Sequence, residues 1–236
     1  MAELRIRLGA AALLMTLLAA PVQAQSLSVP MDASADAAPT MTDWDRDVFF
    51  FGGLFHDDYF TQSFTPWATT WEPNGFLGAG YQQFFWRWNQ FSLGGEAGLG
   101  ARFNFDGNTT FYPQGPNGPA DSFPPLSGEA WAGAVARYDG FDLGPVRVGA
   151  SFTAGVSVVT GLIGAEAVRD STHPFDRFGT GGKFLFYLGP ELDFSMPEYN
   201  PNIELFVRAQ HRSGGFSTLM DLDGANADTV GLRYKF

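Results

Sequence analysis

His211 and Ser213 stand two residues apart in the segment Asn202-Ile203-Glu204-Leu205-Phe206-Val207-Arg208-Ala209-Gln210-His211-Arg212-Ser213. A lone serine is a weak nucleophile, and an adjacent general base is what activates it. The base in turn needs a group that orients it. Ile203, Leu205, Val207 and Ala209 mark one parity of a strand, and strict alternation carries His211 and Ser213 onto the same face. Residues i and i+2 on one face lie about 6.5–7 Å apart at the backbone, within reach of a hydroxyl and an imidazole. In the last segment Asp228 shares its parity with Val230 and Leu232. If His211 and Asp228 are cross-strand neighbours, a Ser–His–Asp constellation forms on one surface. The competing reading puts these polar residues where the strand has already left the hydrocarbon, at headgroup level.

The other histidines offer less. His56 precedes Asp57-Asp58, a run that could suggest a metal, but a divalent site needs more ligands at defined geometry. It reads as a solvated loop. His173, in Ser171-Thr172-His173-Pro174, has nothing to orient it. Cysteine is absent, which removes disulfides, thiol catalysis and Cys-ligated zinc. No metal and no cofactor are expected.

The elements that must hold His211 and Ser213 are strands. Period-two segments fall near 46–55, 75–88, 91–104, 128–138, 145–158, 183–195, 202–213 and 227–236, eight in all. In the third, Phe91, Leu93, Ala97, Leu99, Ala101 and Phe103 oppose Glu96 and Arg102. In the fifth, Val146, Val148, Ala150, Phe152 and Val156 oppose Arg147, Ser151 and Thr153. In the sixth, Phe184, Phe186, Leu188 and Leu192 oppose Lys183, Tyr187, Glu191 and Asp193. The minority face therefore carries both signs of charge, with Glu204, Arg208 and Arg233 added. An eight-stranded barrel is only wide enough for side chains, so these charges are expected to pair in a filled lumen. Turns at Asn89-Gln90, at Asp139-Gly140 and across Pro197 to Pro201 alternate with long connections near 56–74, 105–127, 159–182 and 214–226. Short turns on one side and long loops on the other are the habit of an outer-membrane barrel.

Both ends and the composition agree. Residues 1–24 combine a basic start (Arg5, Arg7), an apolar stretch and a Val22-Gln23-Ala24 cleavage pattern, and so read as a secretory signal. Residues 25–44 read as a periplasmic leader, and 45–236 as a single barrel. No stretch is long and apolar enough to cross a membrane as a helix, for which about 20 residues are needed. Without Glu3, Arg5 and Arg7 the balance is 24 acidic to 12 basic residues, which argues against nucleic acid as a partner. The 24 Phe and 29 Gly fit aromatic girdles and crowded strands. The chain stops on Phe236 after alternating Val230, Leu232 and Tyr234. This ending resembles the terminal signal by which the barrel-assembly machinery recognises outer-membrane barrels.

The segment Arg208-Ala209-Gln210-His211-Arg212-Ser213-Gly214-Gly215, one loop before a terminal strand ending in Phe, resembles the lipid A 3-O-deacylase (PagL) family. That resemblance implies an all-β, eight-stranded transmembrane barrel that removes an ester-linked acyl chain from lipid A of lipopolysaccharide. It assigns the base to His211, the nucleophile to Ser213 and the acid to Asp228, with Asp221 and Asp223 as rivals. Backbone N–H groups near Gly214 and Gly215 would receive the oxyanion. Gly214 stands where the family commonly has Asn, and Asp228 where it has Glu. The alternative is a small non-catalytic barrel, of adhesin or membrane-integrity type, acting through acidic outer loops.

Overall fold

A computed structural model of the chain describes residues 45–107, 109–111, 121–170, 177–215, 218–219 and 224–236. The expected signal and leader lie outside the described residues, as do His173, Asp221 and Asp223. The wall consists of β1 (Arg46–His56), β2 (Trp71–Trp88), β3 (Phe91–Asn104), β6 (Leu126–Leu143), β7 (Val146–Val159), β8 (Phe184–Met196), β9 (Asn200–Ser213) and β10 (Ala225–Lys235). A short hairpin, β4 (Thr109–Phe111) and β5 (Asp121–Phe123), and a helix, α1 (Gly164–Asp170), belong to the long connections. All eight wall strands pair antiparallel with their sequence neighbours, and β10 pairs with β1 from Asp47↔Lys235 to His56↔Asn226. The barrel is closed.

One turn differs from expectation. Asp139-Gly140 does not end β6; the ladder shifts between Tyr138 and Phe141 and the strand runs on to Leu143. Gly140 (φ +95) makes this bulge possible, because a Cβ there would stand 2.1 Å from the Val148 carbonyl oxygen. The chain reverses instead at Gly144-Pro145, with Gly144 at φ +63.

Alternation sorts the side chains as the pattern predicts. Phe50, Leu77, Leu99, Leu192 and Leu232 face outward and are exposed, while Glu96, Glu191, Glu204, Arg208 and Arg233 are buried inside. Arg208 donates from Nε to Glu191 at 2.7 Å and from Nη1 to Glu96 at 2.8 Å. Arg233 reaches Asp193 at 2.7 Å, and Lys235 reaches Glu204 at 2.7 Å. Two residues expected inside are elsewhere. Arg147 sits by the 144–145 turn and donates to Asp142 at 2.7 Å. Lys183 precedes β8 and is exposed.

The lumen also holds an aromatic layer that a girdle-only reading omits. Phe49, Phe51, Phe76, Phe206, Trp131 and Tyr187 are buried there, and Arg208 stacks over Phe49 at 4.8 Å. These rings explain part of the glycine count. A Cβ at Gly98 would meet the Trp131 ring at 2.1 Å, and one at Gly80 the Phe49 ring at 2.3 Å. Glycine and aromatic residue thus come as facing pairs. At the outer mouth α1 closes the lumen, with Glu166 taking Arg102 at 2.6 Å and also accepting from Arg212.

The outer surface is apolar along the wall, with exposed Trp86, Trp88, Phe91 and Tyr234 near the short turns and Trp67, Phe105 and Phe178 near the long loops. An apolar band between aromatic rims, around a charged closed interior, is the surface of a membrane-spanning barrel. Leu99, midway up β3, should accordingly be intolerant of charge. Leu99→Arg is expected to lower stability by about 2–4 kcal/mol in urea titrations of vesicle-inserted protein. An unchanged midpoint would mean that Leu99 does not face lipid.

Candidate functional site

The site is built from the row of residues nearest the long loops. His56 on β1 pairs with Asn226 on β10, and Asn226 pairs with His211 on β9. All three have outward parity. Asn226 stands eight residues above Tyr234. At ~3.3 Å per residue and a strand tilt near 40°, that is ~20 Å up an apolar band of ~25 Å. The row therefore lies close to the outer boundary of the hydrocarbon.

His211 Nδ1 is 2.5 Å from Asn226 Oδ1, and Asn226 Nδ2 donates to the Asp58 carbonyl at 2.8 Å. The Phe60 ring lies over the imidazole, with centroids 4.5 Å apart and planes at 33°. That cover comes from the 3-10 segment Phe60–Phe64, folded back from the first long connection against the outside of β10. It leaves His211 only 8% exposed. Ser213 pairs with Phe186 on β8 and is half-buried. Its Oγ accepts the Gly215 N–H at 3.3 Å. Gly215 has φ +66, and a Cβ there would stand 2.4 Å from the Phe186 ring. Gly214 is buried, and its carbonyl accepts the Leu219 N–H at 2.9 Å.

Asp228 is not the cross-strand partner of His211. It pairs with Ala209 and with Leu54, and its carboxylate lies 3.8 Å from His56 Nε2. The same nitrogen is 3.0 Å from Ser63 Oγ. The register explains the difference. Gly224 (φ +70) sits so close to the Arg212 carbonyl that a Cβ would overlap it, and β10 starts at once opposite Arg212. Asn226, two residues before Asp228, therefore faces His211.

His56 is likewise not a solvated loop residue. It is the last residue of β1, 1% exposed beneath the folded-back loop. The acids that follow it diverge. Asp57 takes Arg169 of α1 at 2.5 Å, and Asp58 Oδ2 accepts the Thr70 N–H at 2.5 Å. Among the described residues no cluster of three or more His, Cys, Asp or Glu could hold a metal ion. Asn226 and His56 both had the parity that would have marked them, two steps from Asp228 and Leu54. Ser63 had no such signal, because a 3-10 turn in a loop carries no strand periodicity.

No protein-family model matches the sequence, and no curated protein does. Among solved structures, the outer membrane enzyme PagL is 13% identical, with a TM-score of 0.46 over 80% of this chain and 99% of its own. Neisserial surface protein A is 14% identical, with a TM-score of 0.43 over 81% and 97%. The N-terminal β-barrel domain of Pseudomonas aeruginosa OprF is 9% identical, with a TM-score of 0.36 over 82% and 98%. These comparisons concern the fold alone. With its closed wall, apolar without and charged within, the chain is an eight-stranded barrel of the bacterial outer membrane.

Proposed function

We propose that the chain is an outer-membrane serine esterase of the lipid A 3-O-deacylase type. Ser213 Oγ attacks the carbonyl carbon of an ester-linked acyl chain while His211 takes its proton. The tetrahedral oxyanion receives the Gly215 N–H and its neighbours. His211 then returns the proton to the departing sugar oxygen, and water, deprotonated by the same imidazole, releases the fatty acid from Ser213. The scheme uses no metal or cofactor.

One observation carries this reading: a serine and a histidine share the lipid-facing wall at the depth where acyl esters of the outer leaflet lie. Cations support an anionic lipid as substrate. Every Lys and Arg after residue 44 is among the described residues. At the outer end Arg177 and Lys183 are exposed and form no ion pair among the described residues, and both precede β8, the strand beside Ser213. In a chain this acidic they are a local exception. The second reading, a non-catalytic barrel acting through its outer loops, is favoured by the Phe60 cover, which closes His211 off in this state.

The test is mass spectrometry of lipid A from cells that do and do not express the chain. Loss of one hydroxyacyl chain on expression is the expected result. Unchanged lipid A, with the barrel shown folded by heat-modifiable migration, would sink the esterase and leave the second reading.

A further inference from the structure

We infer that Asn226 is the positioning residue of His211, and that the first outer loop holds Asn226 in the orientation this requires. The inference rests on the esterase reading of Ser213 and His211. The two ends of an asparagine amide have the same shape, so their assignment comes from their neighbours. Here the neighbour decides it. The Asp58 carbonyl can only accept, so the amide nitrogen must face it, at 2.8 Å. The amide oxygen is then left facing His211 Nδ1 at 2.5 Å. An amide oxygen can only accept as well, which puts the imidazole proton on Nδ1. Nε2 consequently carries the lone pair, as a base that takes the serine proton must.

Among the described residues, the ionisable groups near the imidazole have other partners. Asp228 on β10 faces His56 of β1, Asp57 pairs with Arg169 of α1, and Asp58 binds the Thr70 N–H. Arg212 on β9 points into the lumen toward Glu166, and the β8 partner of His211 is Leu188. The group that faces Nδ1 is the neutral Asn226 amide. A neutral orienter sets the tautomer without stabilising the imidazolium by charge, as in the Cys–His–Asn arrangement. Asn226 belongs to the last strand, while Asp58 and Phe60 belong to the loop after the first. The loop thus acts on His211 twice, by holding its amide partner and by covering its ring.

The experiment uses the full chain refolded in detergent micelles with purified lipid A. Release of hydroxy fatty acid is followed from about pH 5 to about pH 9 for wild type, Asn226→Leu, Asn226→Asp and Ser213→Ala. Asn226→Leu is expected to lower kcat by about 100-fold or more with little change in KM, because the tautomer is no longer fixed. Asn226→Asp is expected to stay active, with the acidic limb of its profile moved up by about one pH unit through the added carboxylate. In parallel, nitrogen-15 shifts of the imidazoles in wild type report the tautomer directly, His211 being assigned with His56→Gln and His173→Gln. An Nδ1–H tautomer is expected, and this decides the matter if Asn226→Leu does not fold. An Nε2–H tautomer overturns the inference. So do Asn226 variants with wild-type rate and profile when Ser213→Ala is inactive, an outcome that spares the esterase reading. Absence of release by wild type, or release that survives Ser213→Ala, overturns both.

Discussion

Ser213→Ala is expected to lower hydroxy fatty acid release by about four orders of magnitude or more, since on the esterase reading it removes the nucleophile itself. Combining it with His211→Ala should cost little further, because groups that act as one unit are grossly non-additive. The same substitution should hardly disturb the barrel. Ser213 is half-buried, and its hydroxyl accepts the Gly215 N–H at 3.3 Å, at the long end for such a bond. A loss of at most about 1 kcal/mol follows. Lipid A mass spectra and heat-modifiable migration measure the two quantities in the same membranes. Equal release by Ser213→Ala and wild type would remove Ser213 from the chemistry.

The largest effect on stability belongs to the lumen. Arg208→Leu removes the guanidinium that binds Glu96 through two nitrogens, at 2.8 and 2.9 Å, and Glu191 at 2.7 Å. Two buried carboxylates would then lose a shared cation. Stranding buried charge in this way costs about 3–5 kcal/mol. Urea titration in vesicles should show this as a lower unfolding midpoint. Arg208→Leu combined with Glu96→Gln should recover part of the loss, since the stranded Glu96 charge is gone while Glu191 keeps Arg233. The amide oxygen introduced by Glu96→Gln would still accept from Trp131 Nε1, which now donates at 2.8 Å, or from Gln82 Nε2, which now donates at 2.6 Å. A double variant no more stable than Arg208→Leu alone would show that the Glu96 charge is not what the guanidinium stabilises.

The wall was legible because a period of two is enforced at every residue. Leu99, Leu205 and Leu232 could not face outward unless Glu96, Glu204 and Arg233 faced inward. Parity also put His211, Ser213 and Asp228 on one outer surface, and the structure keeps them there. What parity cannot supply is register, which turns set. The partner of His211 depended on Gly224, and a two-residue difference there exchanges Asp228 for Asn226. The bulge at Gly140 was hidden in the same way, since a glycine after Asp reads equally well as a turn. His56 was misread because the fate of a strand's last residue depends on whether the following loop returns. The Gly98–Trp131 and Gly80–Phe49 pairs are contacts across strands, and composition alone records them only as an excess of both residue types.

The pairing of β1 with β10 has a temporal meaning. His56, Ser63, Asp58 and Phe60 come from the first strand and its loop, whereas Asn226 and Asp228 come from the last. Nearly the whole chain separates the two groups, and they meet only when the ring of strands shuts. An unfinished barrel, still open along that line, has His211 beside Asn226 on the paired β9 and β10, without the Asp58 carbonyl that orients the amide or the Phe60 ring that covers the imidazole. On the esterase reading, a base that is both oriented and covered is therefore a property of the closed ring. The complete arrangement around His211 would then exist only in the finished barrel.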